Sequence, residues 1–186
     1  HPWAAHELSF GEAACLPTAW LTAYRMLFTA AGVRPGDTVL VQGAGGGVAT
    51  ALIILARAAG LKVLATSRDE TKRARALEIG AHEVFESGAR LPVKVDAVME
   101  TVGRATWSHS IRALRPGGRV GITVWAGIEG SPPFYALFKA VQEVGGAELA
   151  ARYRGGPFGF PDADALGALL VDAGLEDVQV SQRLLP

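Results

Sequence analysis

The sequence predicts an α/β fold with three layers, a doubly wound and mainly parallel sheet of the Rossmann type. Two observations lead to this prediction. Short apolar strands alternate with helical segments through the middle of the chain, as they do where crossover helices join parallel strands. Residues 39–41 and 63–65 are continuously apolar rather than alternating, which is typical of strands that helices cover on both faces.

The chain begins with a helical lead-in over residues 1–32. Ser9 and Glu12 have the spacing of a capping box, so we expect a helix to start there and to break at Pro17. A second helix is predicted over 18–31, where apolar residues recur at helical spacing. Gly32 then ends that helix.

Residues 33–125 form the predicted core of a single domain that covers 1–186. In chain order we predict strands at 38–42, 62–66, 83–85, 97–100 and 119–125, helices at 46–59, 70–79 and 106–114, and a tight turn at 116–118. The divergent part, 126–186, is predicted to hold helices at 132–144 and 162–173, a loop at 154–157 and a closing strand at 177–184.

Composition narrows the classes of partner. The 186 residues carry 18 basic and 18 acidic side chains, and no basic cluster stands out, which argues against nucleic acid or an anionic membrane surface. No apolar run is long enough to span a membrane. The single Cys15 excludes an internal disulfide and a multi-cysteine metal site, so we expect a reducing compartment, the cytoplasm. Because the chain opens at His1 rather than Met, we expect a fragment of a longer protein.

A glycine-rich turn at 43–49 is the most informative motif. It lies between an apolar strand and a helix, where glycines let the backbone approach a ligand and the helix N-terminus attracts a phosphate. The pattern predicts a dinucleotide-binding turn, with a purely structural turn as the alternative. The candidate contacts are Gly43, Gly45, Gly46, Gly47 and Val48.

The end of the second strand indicates which dinucleotide binds. NAD needs an acidic side chain there, but the chain has Ser67, followed by Arg68 and, one helical turn later, Lys72. A hydroxyl and two cations favour the 2′-phosphate of NADP(H). The alternatives are NAD, or a solvated helix start that Asp69 and Glu70 merely cap.

Few other residues have the context that chemistry requires. His6, His82 and His109 lack partners at metal or triad spacing and are predicted to be surface or loop histidines. Ser108 and Ser110 lack the context of a nucleophile elbow. We therefore predict no metal site and assign no catalytic residue.

Residues 8–120 resemble the cofactor domain of medium-chain dehydrogenases/reductases, closest to the zinc-independent quinone oxidoreductase branch. The matching pieces are 12–14, 16–24, 35–41, 43–49, Lys72, 80–81, 95–98, 102–103 and 114–118. The resemblance implies an NADP-dependent oxidoreductase that reduces a small-molecule quinone or enone. It also implies that the glycine turn contacts the pyrophosphate and Lys72 the 2′-phosphate, while a loop containing Thr101 and Val102 borders the nicotinamide.

The chain departs from this family in three ways. The 186 residues do not include the N-terminal catalytic domain that the family resemblance implies, so we expect exposed apolar surface and a homodimer. Thr18 stands where zinc-dependent members have a cysteine. Beyond about Val120 the chain departs from the family pattern, and residues 115–186 resemble the C-terminal part of class I S-adenosylmethionine methyltransferases. A methyltransferase-like protein and a truncated, inactive nucleotide-binding module are therefore the alternatives, and whether the chain is an active enzyme stays open.

Overall fold

The computed structural model describes residues 8–124, 127–130, 132–155 and 162–181, so His6 lies outside the described residues. Internal contacts divide the chain into two compact units, 1–123 and 124–186. The division falls near residue 125, where we expected the core to give way to the divergent part.

From Phe10 to Ala30 the lead-in is one helical run, in which α1 (Phe10–Cys15) and α2 (Leu21–Tyr24) are each followed by a π-helical turn, Leu16–Trp20 and Arg25–Ala30. The predicted capping box is confirmed, since Glu12 N–H donates to Ser9 Oγ at 3.3 Å and Ser9 N–H donates to Glu12 Oε2 at 2.8 Å. The predicted break at Pro17 is wrong. Pro17 lies inside the first π-helical turn, where the widened backbone tolerates a residue that has no N–H to donate.

The first unit contains a five-stranded sheet in the order β3-β2-β1-β4-β5, and all of its pairings are parallel. The strands are β1 (Thr38–Val41), β2 (Lys62–Thr66), β3 (Glu83–Phe85), β4 (Val95–Glu100) and β5 (Leu114–Ile122). The crossover helices are α3 (Gly47–Ala58), α4 (Glu70–Glu78) and α5 (Arg104–Ala113). The predicted fold class is confirmed.

Helices cover both faces of this sheet. On one face Val39 and Val41 pack with buried residues of the lead-in and of α3, such as Leu27 and Leu52. On the other face Leu40 packs with Leu64, Val98 and Ala113, the last of which belongs to α5. Because successive side chains of a strand point to opposite faces, continuously apolar strands are what such a double cover requires.

β5 begins earlier than predicted. Val95 of β4 lies opposite Leu114, but Ala97 lies opposite Arg119, so the extra residues of β5 bulge out of the ladder. The turn predicted at 116–118 is this bulge, within a strand that we expected to begin only at Arg119. The predicted end of that strand, residue 125, lies outside the described residues.

The second unit is helical in the part that the structure describes. It contains a short 3-10 turn (Ile128–Gly130), α6 (Pro132–Gly155), which kinks at Gly146, and α7 (Ala163–Asp172), whose first turn Asp162 caps. The helix predicted at 132–144 continues past the kink, so the first two residues of the loop predicted at 154–157 are helical. The closing strand predicted at 177–184 is not formed over 177–181, where Asp177 has a left-handed φ of 52° that interrupts an extended chain.

Candidate functional site

The sheet order places a crevice between β1 and β4. From β1 the chain moves outward through β2 to β3, then crosses back to β4 and β5 on the other side. In an open parallel sheet, ligands bind outside the carboxyl ends of the strands at such a reversal of order. All predicted binding residues follow β1, β2 or β4, so the topology brings them to one edge of the sheet.

The glycine turn is packed closely against two of the predicted residues. Gly43 has a φ of 75°, and a Cβ there would lie 2.5 Å from Val102 Cγ2. Gly45 has a φ of 106°, and a Cβ there would lie 2.5 Å from Lys72 Cδ. Both positions therefore require glycine for conformation and for space. Val102, which follows β4, and Lys72, in the helix that follows β2, both lie against the turn.

α3 presents an uncapped N-terminus to this edge. Gly46 is the N-cap residue, with an extended backbone, and no side chain accepts a hydrogen bond from the first turn. Gly47 and Val48 begin the helix, so their N–H groups have no carbonyl partner within it. Ala49 is 1% exposed against the sheet, so a small side chain suffices for helix–strand packing there. The combination provides free donors and a partial positive charge.

Ser67 lies at the end of β2 and is 6% exposed. Its hydroxyl oxygen accepts a hydrogen bond from Asp69 N–H at 3.2 Å, and Asp69 in turn caps α4 by accepting from Lys72 N–H at 3.0 Å. Asp69 therefore caps the helix, as the alternative interpretation of this segment supposed. Within the described ranges, however, neither Arg68 nor Lys72 pairs with a carboxylate, and both side chains are exposed.

Arg73 was not singled out from the sequence. Its Nη1 donates to the carbonyl oxygen of Ser67 at 2.7 Å, and its side chain is half-buried. The guanidinium therefore fixes the backbone at the end of β2 and adds a third cation to Arg68 and Lys72. Its position directly after Lys72 in the chain is the sequence signal that could have identified it as part of this cluster of cations.

A buried polar network lies beneath the crevice and was also missed. It consists of Gln42, Thr66, Glu100, Thr106, His109 and Ser110. Gln42, Thr66 and Glu100 lie at the carboxyl ends of β1, β2 and β4. Each of them comes two positions after an apolar residue on the sheet face that α5 covers. That shared alternation was the sequence signal for the network.

The prediction that His109 is a surface or loop histidine is wrong. The residue is 7% exposed rather than a surface residue, because it lies on the buried face of α5 one turn after Thr106. Its Nε2 contacts the carbonyl oxygen of Ala89 at 2.8 Å and therefore carries the proton, so Nδ1 accepts from Gln42 Nε2 at 2.8 Å. His82 is exposed, as predicted.

Thr101 and Val102 follow β4, at the opposite side of the crevice from Ser67. The Thr101 hydroxyl donates to the carbonyl oxygen of Gln42 at 2.5 Å, which ties this loop to the glycine turn. The Val102 side chain is 48% exposed and covers Gly43. The hydrogen of the Thr101 hydroxyl is thus used within the protein.

Asp96 anchors the other end of β4. Thr38 N–H donates to Asp96 Oδ2 at 2.8 Å and Arg115 Nε donates to Oδ1 at 2.6 Å. These contacts, the backbone N–H foremost, lower the pKa of Asp96 below its usual value of 3.8. Because this end of the strand lies away from the crevice, Asp96 stabilises the fold and takes no part in the site.

Neither a metal centre nor a membrane span emerges from the part of the chain that the structure describes. No group of three or more His, Cys, Asp or Glu side chains there could hold a metal ion. Among the same residues, no helix combines the length and the apolar character that crossing a bilayer requires.

Comparison with known proteins confirms the resemblance to quinone oxidoreductases. A family model described as zinc-binding dehydrogenase matches residues 47–145. The chain is 40% identical over 123 residues to a quinone oxidoreductase of Rattus norvegicus, a match that covers 61% of this chain and 37% of the rat protein. The chain therefore spans well under half the length of this curated relative.

Solved structures agree. The quinone oxidoreductase of Coxiella burnetii matches with a TM-score of 0.58 and 34% identity, over 62% of this chain and 37% of that one. That of Thermus thermophilus, described together with its NADPH complex, matches with a TM-score of 0.55 and 30% identity over 91% of this chain and 64% of that one. The family match also continues to residue 145, past Val120, where we expected the pattern to end.

The name of the family refers to zinc, for which the described residues offer no donor set, and no chemical step is assigned here to a metal. The matched residues contain α3, α4 and α5 and the strands β2 to β5. The family model covers 99 of the 186 residues, from 47 to 145. The chain belongs to the zinc-binding dehydrogenase family.

Proposed function

We propose that this chain is the NADP(H)-binding part of an NADP-dependent oxidoreductase that reduces quinones or enones. The observation that carries the proposal is the end of β2, where Ser67 replaces the acid that NAD requires. Ser67 is followed by two exposed cations, Arg68 and Lys72, which pair with no carboxylate among the described residues, and the Lys72 side chain lies against the glycine turn. The relatives named quinone oxidoreductase, one of them described with NADPH, support it.

In this proposal the glycine turn and the start of α3 hold the pyrophosphate. Gly43 and Gly45 leave space that a Cβ would fill, and the N–H groups of Gly46, Gly47 and Val48 are the candidate donors. A negative charge at an uncapped helix N-terminus also compensates the helix dipole.

The 2′-phosphate would lie at the end of β2. The Ser67 hydroxyl already accepts a bond from Asp69 N–H, so its own hydrogen is free to donate, and Arg68 and Lys72 supply charge. The stem of Lys72 crosses Gly45, which keeps its ammonium group near the turn. Arg73 supports this corner by holding the carbonyl oxygen of Ser67.

Thr101 and Val102 would border the nicotinamide half. When bound, the nicotinamide supplies the hydride, and the protein binds and orients it. The chain contributes the wall formed by Val102 over Gly43 and the hydrogen bond from Thr101 that fixes this wall. We assign no proton donor to the described residues.

Titration calorimetry of the chain with NADPH, NADH and S-adenosylmethionine tests the cofactor. We expect NADPH to bind most tightly. Tighter binding of S-adenosylmethionine would favour the methyltransferase-like alternative instead. Assays of enone and quinone reduction with NADPH then separate an enzyme from an inactive binding module, which would bind the cofactor without turnover.

We further propose that the chain forms a homodimer in a reducing, cytoplasmic environment. The lead-in helices expose Leu16, Leu21 and Tyr24, which are 39%, 41% and 53% exposed, and exposed apolar side chains on one element favour association. A monomer in sizing chromatography at high protein concentration would count against the dimer.

A further inference from the structure

Glu100 is a buried carboxylate with no cationic partner in the part of the chain described. It is 2% exposed, and its neighbours are hydrogen-bond donors rather than Lys or Arg. Removing a carboxylate from water is unfavourable unless donors replace the lost solvation. We therefore infer that Glu100 acts through the hydrogen bonds that it accepts, and not through an ion pair.

Two of the donors to Glu100 belong to the backbone of the next loop. Val102 N–H and Gly103 N–H both donate to Oε1, at 2.8 and 3.1 Å. A single oxygen thus draws two successive peptide groups inward. The path of the chain between β4 and α5 depends on this side chain.

The same loop is connected to the glycine turn. The Thr101 hydroxyl donates to the carbonyl oxygen of Gln42, the residue before Gly43, and Val102 lies against Gly43 itself. A shift of Val102 by a fraction of an ångström therefore changes the space directly above the turn. The backbone bonds to Glu100 prevent that shift.

The other oxygen of Glu100 leads into the buried network. Ser110 Oγ donates to Oε2 at 2.6 Å and accepts from Gln42 Nε2 at 2.9 Å, while Gln42 Oε1 accepts from Thr66 Oγ1 at 2.5 Å. These bonds connect the ends of β1, β2 and β4 to α5. Glu100 therefore has little freedom to move, and the loop that it holds is preorganised.

Topology determines which half of a dinucleotide this loop faces. The glycine turn follows the central strand β1, the cations at Arg68 and Lys72 follow β2 on one side, and the loop follows β4 on the other. A dinucleotide with its 2′-phosphate beside β2 and its pyrophosphate at the turn must extend its other half towards β4. We propose that Glu100 is a positioning residue for that other half, acting through Val102 and Gly103 without touching the cofactor.

This inference rests on the proposed function, and a fragment of the cofactor tests it separately. The variants E100Q and S110A are titrated with NADPH and with adenosine 2′,5′-bisphosphate, which has the 2′-phosphate but lacks the nicotinamide. Glutamine keeps one acceptor oxygen, but its NH2 group cannot accept the hydrogen bond from Ser110 Oγ, and S110A removes that donor. In both variants the side chain that holds the loop therefore loses a contact that fixes it, and binding must restore the lost order. We expect NADPH to bind about tenfold more weakly and the fragment to change by less than about twofold.

D96N is the matched control. Asp96 is on the same strand and also accepts a backbone N–H, but it lies at the end of β4 remote from the crevice. D96N therefore lowers stability without altering the preference for NADPH over the fragment. Circular dichroism confirms that each variant is folded. S110A removes the donor to Glu100 Oε2 and leaves the side chains of the loop unchanged, so it still tests the proposal if E100Q does not fold.

The possible outcomes separate the two claims. Equal weakening of NADPH and the fragment in E100Q and S110A, or no weakening of either, would overturn the role of Glu100 and leave the proposed function standing. A wild-type chain that binds neither ligand would overturn the proposed function, and the role of Glu100 with it.

Discussion

Replacing both Arg68 and Lys72 by alanine is the sharpest test of the 2′-phosphate site. We expect R68A/K72A to weaken NADPH binding and to leave NADH binding nearly unchanged, because NADH lacks the phosphate that the two cations would contact. Neither side chain pairs with a carboxylate among the described residues, so their removal breaks no ion pair there and has little effect on the fold.

The magnitude follows from exposure. A hydrogen bond to a charged group contributes about 1.5–3 kcal/mol, and the lower end applies here because both side chains are exposed and screened. Two such contacts, each discounted for screening to about 1–1.5 kcal/mol, amount to about 2–3 kcal/mol, roughly a 30- to 150-fold loss in NADPH affinity. Raised salt should reduce the NADPH preference of the wild type, because the Debye length falls from about 10 Å at 0.1 M to about 3 Å at 1 M.

Calorimetric titration of each variant with both cofactors provides the measurement. R75A serves as the control for K72A, since Arg75 lies on the same helix and its removal changes the net charge equally. Arg75 is already paired with Glu78 at 2.7 Å, so R75A should leave both affinities within about twofold of the wild type.

Two results would refute the reasoning. Equal losses of NADPH and NADH affinity in R68A/K72A would mean that these residues act through the fold or the adenosine. No change in affinity for either cofactor would mean that Arg68 and Lys72 only face solvent at the start of α4. Ser67 would then be the sole remaining residue in favour of NADP.

Three further predictions concern the fold around the site. G43A should lower the free energy of unfolding by more than G36A, because both glycines have a left-handed φ but only a Cβ at Gly43 meets another side chain, Val102, at 2.5 Å; chemical denaturation measures both. The pKa of Asp96 is lower in the folded protein than the value of 3.8 that we take for the unfolded chain. Its carboxylate therefore stabilises the fold fully above pH 3.8, and this stabilisation is lost as the pH falls through the pKa of the folded state. D96N should therefore be less stable than the wild type at pH 7, and the difference should vanish in acid; equal stability at pH 7 would contradict this. H109F should cost about 1–3 kcal/mol in urea unfolding, because it leaves Gln42 Nε2 in the interior and the part-buried carbonyl oxygen of Ala89 without this partner, and a loss below about 0.5 kcal/mol would mean that the network relaxes around the phenyl ring.

The sequence by itself determined the features that depend on local pattern. Continuous apolar runs at 39–41 and 63–65 are enough to predict buried parallel strands, and the spacing of Ser9 and Glu12 is enough to predict the cap that the structure contains. The glycine turn is equally local, because strand, glycines and helix adjoin in the chain. Similarity to the family then supports the identity of the fold as a whole.

Local pattern was insufficient at Pro17 and at 177–181. A proline predicts a break when only its missing donor is considered, but Met26 and Leu27 of the same helical run are buried in the core, and that packing favours a π-helical turn over an interruption. At the other end of the chain, β-branched residues at 177–181 suggested a strand, yet a strand also needs a neighbour to pair with. In the described residues no such pairing forms.

The tertiary structure alone decided which side chains form the buried network beneath the site. Gln42 is far in sequence from Glu100 and His109, and each of the three has an ordinary setting within its own strand, loop or helix. They become a network because parallel pairing aligns the ends of β1 and β4 and because α5 crosses the same face. A buried polar group must find its partners wherever the fold brings donors and acceptors together, so its role depends on contacts that no local pattern encodes.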